Sequence, residues 1–248
     1  MPLDELFRFD PAMRSSYASV ESDEEAWVEV QRLVSQNYLR DFATLEECKS
    51  FLGGDAPVVS KFGMITKEKV LPNGTTKVKR RLILDSKESG VSAGSAHPQR
   101  IVLPDLTDLV RNVVDVTLAS CDPPQVAILD FVDAFWNLGL YPSERKYFVG
   151  KLRGHYFVFL RLAQGSRTAP LVWCRFAALV ARLAQSLFRS SELRLHVYVD
   201  DPAIVLGGPS RRKGAIWQFS LPPGCHSTCA SRSPRLNSAT KWNGSEHN

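Results

Sequence analysis

Residues 193–206, "LRLHVYVDDPAIVL", hold the pattern that most constrains the fold of this chain. Apolar and polar residues alternate over 193–199, and 203–206 form a second apolar run. A period of two is typical of a half-buried strand, so the two runs predict a β-hairpin. The tip of this hairpin carries two adjacent carboxylates, those of Asp200 and Asp201.

Two adjacent aspartates at a hairpin tip have two interpretations. The simpler one is a polar turn, because Asp side chains bond nearby backbone and Pro202 also suits a turn. The other is a divalent-cation site, because hard cations such as Mg²⁺ take oxygen ligands and a rigid tip can hold them. The second interpretation needs a further carboxylate from elsewhere in the chain.

The composition is that of an ordinary globular protein. The chain has 248 residues, of which 44% are hydrophobic and 23% charged, enough for one or two domains. No apolar run approaches the length of a membrane span, and the N-terminal "MPLDELFRFDPAM" does not resemble a signal peptide. Five scattered cysteines indicate reduced thiols, which favours an intracellular location without distinguishing cytoplasm from nucleus.

The charges are unevenly distributed. The net charge is +5, yet residues 1–60 are acidic. Residues 61–100 carry nine Lys or Arg against three Asp or Glu, and residues 207–248 carry six against one. The first basic block is either a solvated charged hairpin or a surface that meets phosphates.

Helices and strands alternate irregularly along the chain, which indicates an α+β fold. Helices are predicted from Ser22 as the N-cap to about Tyr38, from the capping box Thr44–Glu47, from Asp105, and over 169–188, where the longest helix is expected to be buried. Strands are predicted over 60–70 and 76–85 around Asn73-Gly74, over 125–130 as a buried strand, and in a hairpin around Arg153-Gly154.

These elements define three segments. Residues 1–21 are expected to be irregular, and residues 22–206 to form one folded domain. Residues 207–248 are rich in Ser, Pro, Gly and Asn and lack periodicity, which predicts disorder.

A further carboxylate lies seventy residues before the hairpin, in "AILDFVDAFWNLGLYPSERKYF", where Asp130 ends a strand. This segment resembles the first catalytic block of reverse transcriptases of the retrovirus and LTR-retrotransposon type. Residues 161–173, "RLAQGSRTAPLVW", resemble their Q-G block, with Ala163 in place of the usual proline. "YVDD" (198–201) resembles their metal-binding box, and "ITKEKVLPNGTTKVKRRLILDSK" (65–87) resembles their fingers hairpin.

The resemblance covers roughly residues 25–206, with the blocks in family order. It implies polymerase fingers and palm, with an antiparallel sheet and helices on one face. It also implies an RNA-directed DNA polymerase, a nucleotidyltransferase that acts on an RNA or DNA template, a primer and dNTPs, with no membrane partner.

The resemblance implies a catalytic centre with two Mg²⁺ ions, or Mn²⁺ in their place. Asp130 and Asp200 would bridge the ions, with Asp201 as an accessory ligand and the carbonyl of Phe131 within reach of the triphosphate-bound ion. Two such ions stabilise the attacking and leaving oxygens.

Further residues match nucleotide-binding positions of the family. Arg81, with Lys79 or Lys67, would clamp the β and γ phosphates, because the guanidinium fork bonds phosphate bidentately. Gln164 would contact the sugar or base of the incoming nucleotide, and Gly165 would permit close approach.

The segment after Asp130 leaves alternatives open. Asp133, with Ala134, matches a position whose backbone amide meets the triphosphate, and the Asp133 carboxylate is expected to cap the turn. Phe135 is either the steric gate beneath the 2′ carbon of the sugar or a core residue, and the flanking motif favours the gate.

Two residues are candidates for template or primer contact. Arg167 would meet template phosphates or be a solvated residue before a buried helix, and the two interpretations have equal weight. Tyr198, the first residue of the YVDD box, is assigned to the same surface by resemblance.

Three functions compete on this sequence. The first is an active reverse transcriptase domain. The second is a catalytically inactive, C-terminally truncated retroelement remnant with at most weak nucleic-acid binding, since no primer grip or thumb is recognisable after the YVDD hairpin. The third is a non-catalytic phosphate-binding module, against which the three aspartates argue.

Overall fold

The structure is a computed structural model that describes residues 16–71, 73–95, 98–120, 122–209 and 213. The α-helices are α1 Ala18–Glu21, α2 Glu24–Ser35, α3 Leu45–Phe51, α4 Val91–Gly94, α5 Leu106–Ala119 and α6 Ala169–Ser186. The strands are β1 Leu39–Phe42, β2 Val59–Val70, β3 Thr76–Asp85, β4 Gln125–Ile128, β5 Val149–Leu152, β6 His155–Phe159, β7 Leu193–Tyr198 and β8 Asp201–Leu206. Two 3₁₀ helices cover Ala134–Asn137 and Pro142–Tyr147. The chain therefore has a mixed α+β fold, as the sequence predicted.

The chain divides into two compact units where the sequence predicted one domain over 22–206. The first unit comprises Met1–Ile101 with Asp133–Trp173, and the second comprises Val102–Val132 with Cys174–Asn248. The disorder expected over 207–248 falls almost wholly outside the described residues. In the N-terminal segment expected to be irregular, residues 16–21 include helix α1, and the rest lies outside the described residues.

The first unit is built on a five-stranded sheet in the order β1-β6-β5-β2-β3. All neighbours are antiparallel except β2 and β5, which are parallel. The resemblance implied an antiparallel sheet, and the parallel pair of β2 and β5 departs from that expectation. Phe62, Phe157 and Phe159 are fully buried together in its core, on the two strands that flank β5.

The predicted strands at 60–70 and 76–85 form the long β2–β3 hairpin, which begins one residue earlier than expected. The β5–β6 hairpin is confirmed around Arg153 and Gly154, whose φ angles of 49° and 83° suit a tight two-residue turn.

Capping decides where the helices of the first unit begin. The predicted capping box at Thr44 and Glu47 is confirmed by reciprocal hydrogen bonds. Ser22 is not the N-cap of α2: its hydroxyl donates to the carbonyl of Ala18, and Asp23 accepts from the amide of Glu25 instead. The one-turn helix α1, just before α2, uses the Ser22 hydroxyl, so the next polar residue, Asp23, is the N-cap of α2.

The second unit is built on a three-stranded antiparallel sheet in the order β4-β8-β7. Asp105 begins α5 with a second capping box, formed with Asp108. The strand at β4 was expected to be buried, but it is an edge strand and Ile128 is 68% exposed. Helix α6 is also not buried all round, because Leu179 and Leu183 are exposed.

Within the residues described, no helix combines the length and the apolar character needed to cross a membrane.

Candidate functional site

The β7–β8 hairpin of the second unit carries the two adjacent aspartates. Tyr198 pairs with Asp201, which leaves Val199 and Asp200 as a two-residue turn. Val199 has a φ of 56°, a left-handed conformation that is rare for a β-branched residue. Such strain persists only where its surroundings over-determine it, and it is concentrated at functional sites. Nothing in the local sequence indicates a left-handed residue at this position.

Asp130 lies beside this turn because β4 and β8 continue their antiparallel pairing beyond the end of β4. Ile128 pairs with Ala203, the Leu129 amide donates to the Pro202 carbonyl at 2.9 Å, and the Phe131 amide donates to the Asp200 carbonyl at 2.9 Å.

The regular β4 strand ends at Ile128 because Pro202 has no amide with which to return the hydrogen bond. The continued register places Asp130 directly opposite Asp201. Residues opposite one another in an antiparallel pair share a face, with Cβ atoms about 4.5–5.5 Å apart.

The carboxylates of this region act on one another. The Asp201 side chain is largely exposed, but partial desolvation and then the charges of Asp200 and Asp130 raise its pKa. Burial and then the charge of Asp200 raise the pKa of the Cys174 thiol, which places helix α6 near the same turn. A concentration of negative charge of this kind favours a cation.

The carboxylate oxygens of Asp130, Asp200 and Asp201 are the donors that Mg²⁺ prefers. Among the described residues, no three His, Cys, Asp or Glu side chains are gathered closely enough to form a ready-made metal site. Strand pairing therefore brings the three aspartates close to one another, but their side chains do not form a closed ligand set.

Replacing Asp201 with asparagine should raise the free energy of unfolding at pH 7, by less than about 1 kcal/mol because the side chain is exposed. The pKa of Asp201 is raised in the folded state, so its ionised form destabilises the fold. The gain should therefore be present at neutral pH and vanish below the ordinary aspartate pKa of about 4.

Urea unfolding of the wild type and the variant, at pH 7 and at a pH below about 4, measures this difference. Asp122→Asn, at an exposed loop position of the same unit, is the control and should show no such pH-dependent gain. A loss of stability at pH 7 in Asp201→Asn would contradict the prediction.

The three candidates for binding the β and γ phosphates, Lys67, Lys79 and Arg81, lie on the β2–β3 hairpin of the first unit. Arg81 pairs with Ile65 in the β-ladder and Lys67 pairs with Lys79. Arg81 is exposed, and no carboxylate pairs with it within the described part of the chain. The neighbouring Arg80 is tied to two carboxylates of the α2 N-terminus.

The Q-G block packs against the same strand as Arg81. The amide of Leu84, on β3, donates to the carbonyl of Gln164 at 2.9 Å. Gly165 has a φ of +97°, and a Cβ there would lie 2.7 Å from the Leu84 carbonyl oxygen. Only glycine fits at position 165. The backbone hydrogen bond to Leu84 holds Gln164 beside β3, and Leu84 is three residues along that strand from Arg81.

Asp133, Ala134 and Phe135 lie within the first block and belong to the first unit. Asp133 precedes a 3₁₀ helix with a φ of 52°, but its side chain makes no cap hydrogen bond, so the expected cap is wrong. Burial and then the charge of Asp133 raise the pKa of Tyr38, so the carboxylate faces that phenol.

Ala134 is buried in that turn, and Phe135 is half-buried against the core with its ring 6.2 Å from that of Trp173. Phe135 therefore has both a packed and an exposed part. It remains either a steric gate for the sugar or a core residue.

The two candidates for template or primer contact are both exposed. A guanidinium nitrogen of Arg167 lies 3.4 Å from the Ser92 carbonyl, and Tyr198 stands at the end of β7. The structure brings the aspartates together in one unit and the phosphate candidates together in the other.

No protein-family model matches this chain, and the comparison with curated proteins finds no relative.

Proposed function

We propose that this chain is a reverse transcriptase domain, an RNA-directed DNA polymerase that transfers nucleotides from dNTPs to a primer 3′-hydroxyl. The observation that carries the proposal is the continued β4–β8 register, in which Asp130 stands opposite Asp201 beside the strained turn at Val199-Asp200. A polar turn needs no partner strand that ends in a third carboxylate.

The electrostatics of the turn support a metal-dependent reaction. The negative charge around Asp201 would be neutralised by divalent cations held by Asp130, Asp200 and Asp201, with Mg²⁺ or Mn²⁺ as the metal. When bound, two such ions supply charge stabilisation for the attacking and leaving oxygens of a phosphoryl transfer. Asp200 lies in the turn of a paired hairpin and Asp130 lies just beyond β4, where the backbone pairing continues, which suits a ligand that must be held in place.

The first unit supplies chemistry for the triphosphate and the sugar. Arg81 is an exposed guanidinium without a carboxylate partner in the described part of the chain, as a phosphate ligand requires. Gln164 is fixed to the same strand by backbone contact. These features support nucleotide binding. The metal-binding candidates and the nucleotide-binding candidates also follow one another along the chain in the order of the family's sequence blocks.

The direct test is nucleotide addition by the purified 248-residue chain. A labelled oligo(dT) primer on a poly(A) template is incubated with dTTP and Mg²⁺, and extension is followed on a sequencing gel. Metal-dependent addition that EDTA abolishes would support the proposal. Binding of primer–template without any addition in Mg²⁺ or Mn²⁺ would favour an inactive nucleic-acid-binding remnant.

Replacing Phe135 with valine should raise incorporation of rNTP relative to dNTP. The smaller side chain removes a clash with the 2′-hydroxyl without removing a contact to dNTP, and discrimination by shape of this size is worth on the order of tenfold to a hundredfold. The measurement is the ratio of kcat/KM for UTP and dTTP.

Phe42→Val is the matched control, because Phe42 is also a half-buried phenylalanine of the first unit. An unchanged ratio in Phe135→Val, or an equal change in the control, would assign Phe135 to core packing alone.

A further inference from the structure

Tyr38 joins three separate elements of the first unit. It lies between α2 and β1, where its amide donates to the Leu33 carbonyl of α2 at 2.9 Å. Its carbonyl accepts, also at 2.9 Å, from the amide of Leu160, the residue that follows β6. Because the backbone is bonded on both sides, the direction in which the half-buried side chain leaves it is constrained.

The Tyr38 ring packs on the third element, the 3₁₀ helix Ala134–Asn137. It stacks on the ring of Trp136, with centroids 5.1 Å apart and planes within 5° of parallel. Trp136 is buried and stacks in turn on Phe159 of the core, at 5.9 Å between centroids. The three rings therefore form a stack that attaches this short helix to the sheet.

The hydroxyl end of the Tyr38 side chain faces the residue that begins the same helix. Asp133 has the left-handed φ of 52°, its carbonyl accepts from the Trp136 amide at 2.8 Å, and its carboxylate does not cap the turn. The phenol lies close enough to this carboxylate that Asp133 raises the pKa of Tyr38, after the larger effect of burial. A left-handed residue other than glycine persists where its surroundings over-determine it, and Tyr38 supplies part of those surroundings.

We infer that Tyr38 is a positioning residue for the turn that carries nucleotide-binding candidates. Its hydroxyl holds the Asp133 carboxylate and its ring holds Trp136, and between these two points lie the Ala134 amide and the Phe135 ring. A 3₁₀ helix this short has poor hydrogen-bond geometry of its own, so packing from outside decides where those groups lie. In this role Tyr38 needs no contact with the nucleotide. The effect on nucleotide affinity rests on the proposed function, whereas the effect on the turn does not.

Two variants separate the contributions of the hydroxyl and of the ring. Tyr38→Phe keeps the stack and removes only the hydroxyl, whereas Tyr38→Leu removes the stack as well. Tyr147→Phe is the matched control, because Tyr147 is also a half-buried tyrosine packed against the same core. It ends the other 3₁₀ helix, Pro142–Tyr147.

The first measurement is amide hydrogen exchange of the free 248-residue chain, without nucleotide or primer. The Trp136 amide donates to the Asp133 carbonyl and the Leu138 amide donates to the Phe135 carbonyl. Exchange at these two amides therefore reports opening of the turn. Exchange should be about threefold to tenfold faster in Tyr38→Phe, which loses one hydrogen-bonding group, and faster still in Tyr38→Leu. Tyr147→Phe should leave it unchanged.

The second measurement is steady-state addition of dNTP to a primer. Tyr38→Phe should raise the KM for dNTP by about threefold to tenfold and change kcat by less than about twofold, because the turn contributes to binding rather than to the reacting atoms. Since the hydroxyl acts through Asp133, Asp133→Asn should have a smaller effect on KM in the Tyr38→Phe chain than in the wild type. Asparagine also tolerates the left-handed conformation, so this comparison isolates the side-chain contact.

Unchanged exchange in both Tyr38 variants, or an equal change in Tyr147→Phe, would overturn the inference. Additive KM effects of Tyr38→Phe and Asp133→Asn would also overturn it, as would faster exchange with an unchanged KM. Absence of dNTP addition by the wild type would instead reject the proposed function. Exchange at the Trp136 amide would then decide by itself whether Tyr38 positions the turn.

Discussion

Replacement of Asp130 or Asp200 by asparagine should reduce primer extension in Mg²⁺ by about a thousandfold or more. Each variant keeps the size of the side chain and removes one negative charge from the proposed metal site. Charge stabilisation by the ions contributes several kcal/mol to the transition state, and each 1.36 kcal/mol corresponds to a tenfold change in rate. The measurement is single-turnover incorporation of one dNTP on a defined primer–template.

The fold should survive both substitutions. The backbone hydrogen bond from the Phe131 amide to the Asp200 carbonyl uses no carboxylate oxygen, so the hairpin pairing remains. Circular dichroism and urea unfolding of the variants confirm this before the rates are compared. Asp122→Asn, which lies in the same unit away from the turn, should retain full activity.

Two outcomes would reject the metal assignment. The first is substantial Mg²⁺-dependent extension by Asp130→Asn or Asp200→Asn. The second is equal loss in Asp122→Asn, which would indicate a general effect of charge on the second unit rather than a specific ligand set.

Replacement of Arg81 by alanine should raise the KM for dNTP about tenfold or more, since a charged hydrogen bond to phosphate is worth about 1.5–3 kcal/mol. The neighbouring Arg80 provides a matched control on the same strand. Arg80 already pairs with Asp23 and Glu25, so Arg80→Ala should affect stability more than nucleotide affinity.

Steady-state titration of dNTP at fixed primer–template separates the two effects. Arg81→Lys should recover only part of the loss, because lysine keeps the charge without the planar fork. Equal KM values for wild type and Arg81→Ala would remove Arg81 from the phosphate site. A larger KM effect in Arg80→Ala would move the site to the other face of β3.

Local elements follow directly from the sequence, because their determinants are local. The capping boxes at Thr44 and Asp105, and the turns at Asn73-Gly74 and Arg153-Gly154, depend on residues within a few positions of one another. The structure confirms both helix starts and both hairpins. The N-cap of α2 shifted from Ser22 to Asp23 because α1, which the sequence analysis had not expected, uses the Ser22 hydroxyl.

The predictions of burial for β4 and α6, which were made from the local sequence pattern, were wrong. β4 and α6 are apolar enough to be read as buried, yet Ile128 and Leu183 are exposed. The hydrophobic period states which residues share a face, but not whether another element covers that face.

The sequence by itself determined the α+β class, the helix caps and the hairpins, and it singled out the aspartates as candidates. Tertiary structure decided which aspartates face each other. Asp130 and Asp201 are seventy-one positions apart, and only the β4–β8 register places them opposite one another. The left-handed turn at Val199 and the glycine requirement at 165 also depend on partner strands. Local sequence cannot specify such pairings, because the chain between the strands allows many registers and long-range packing selects one.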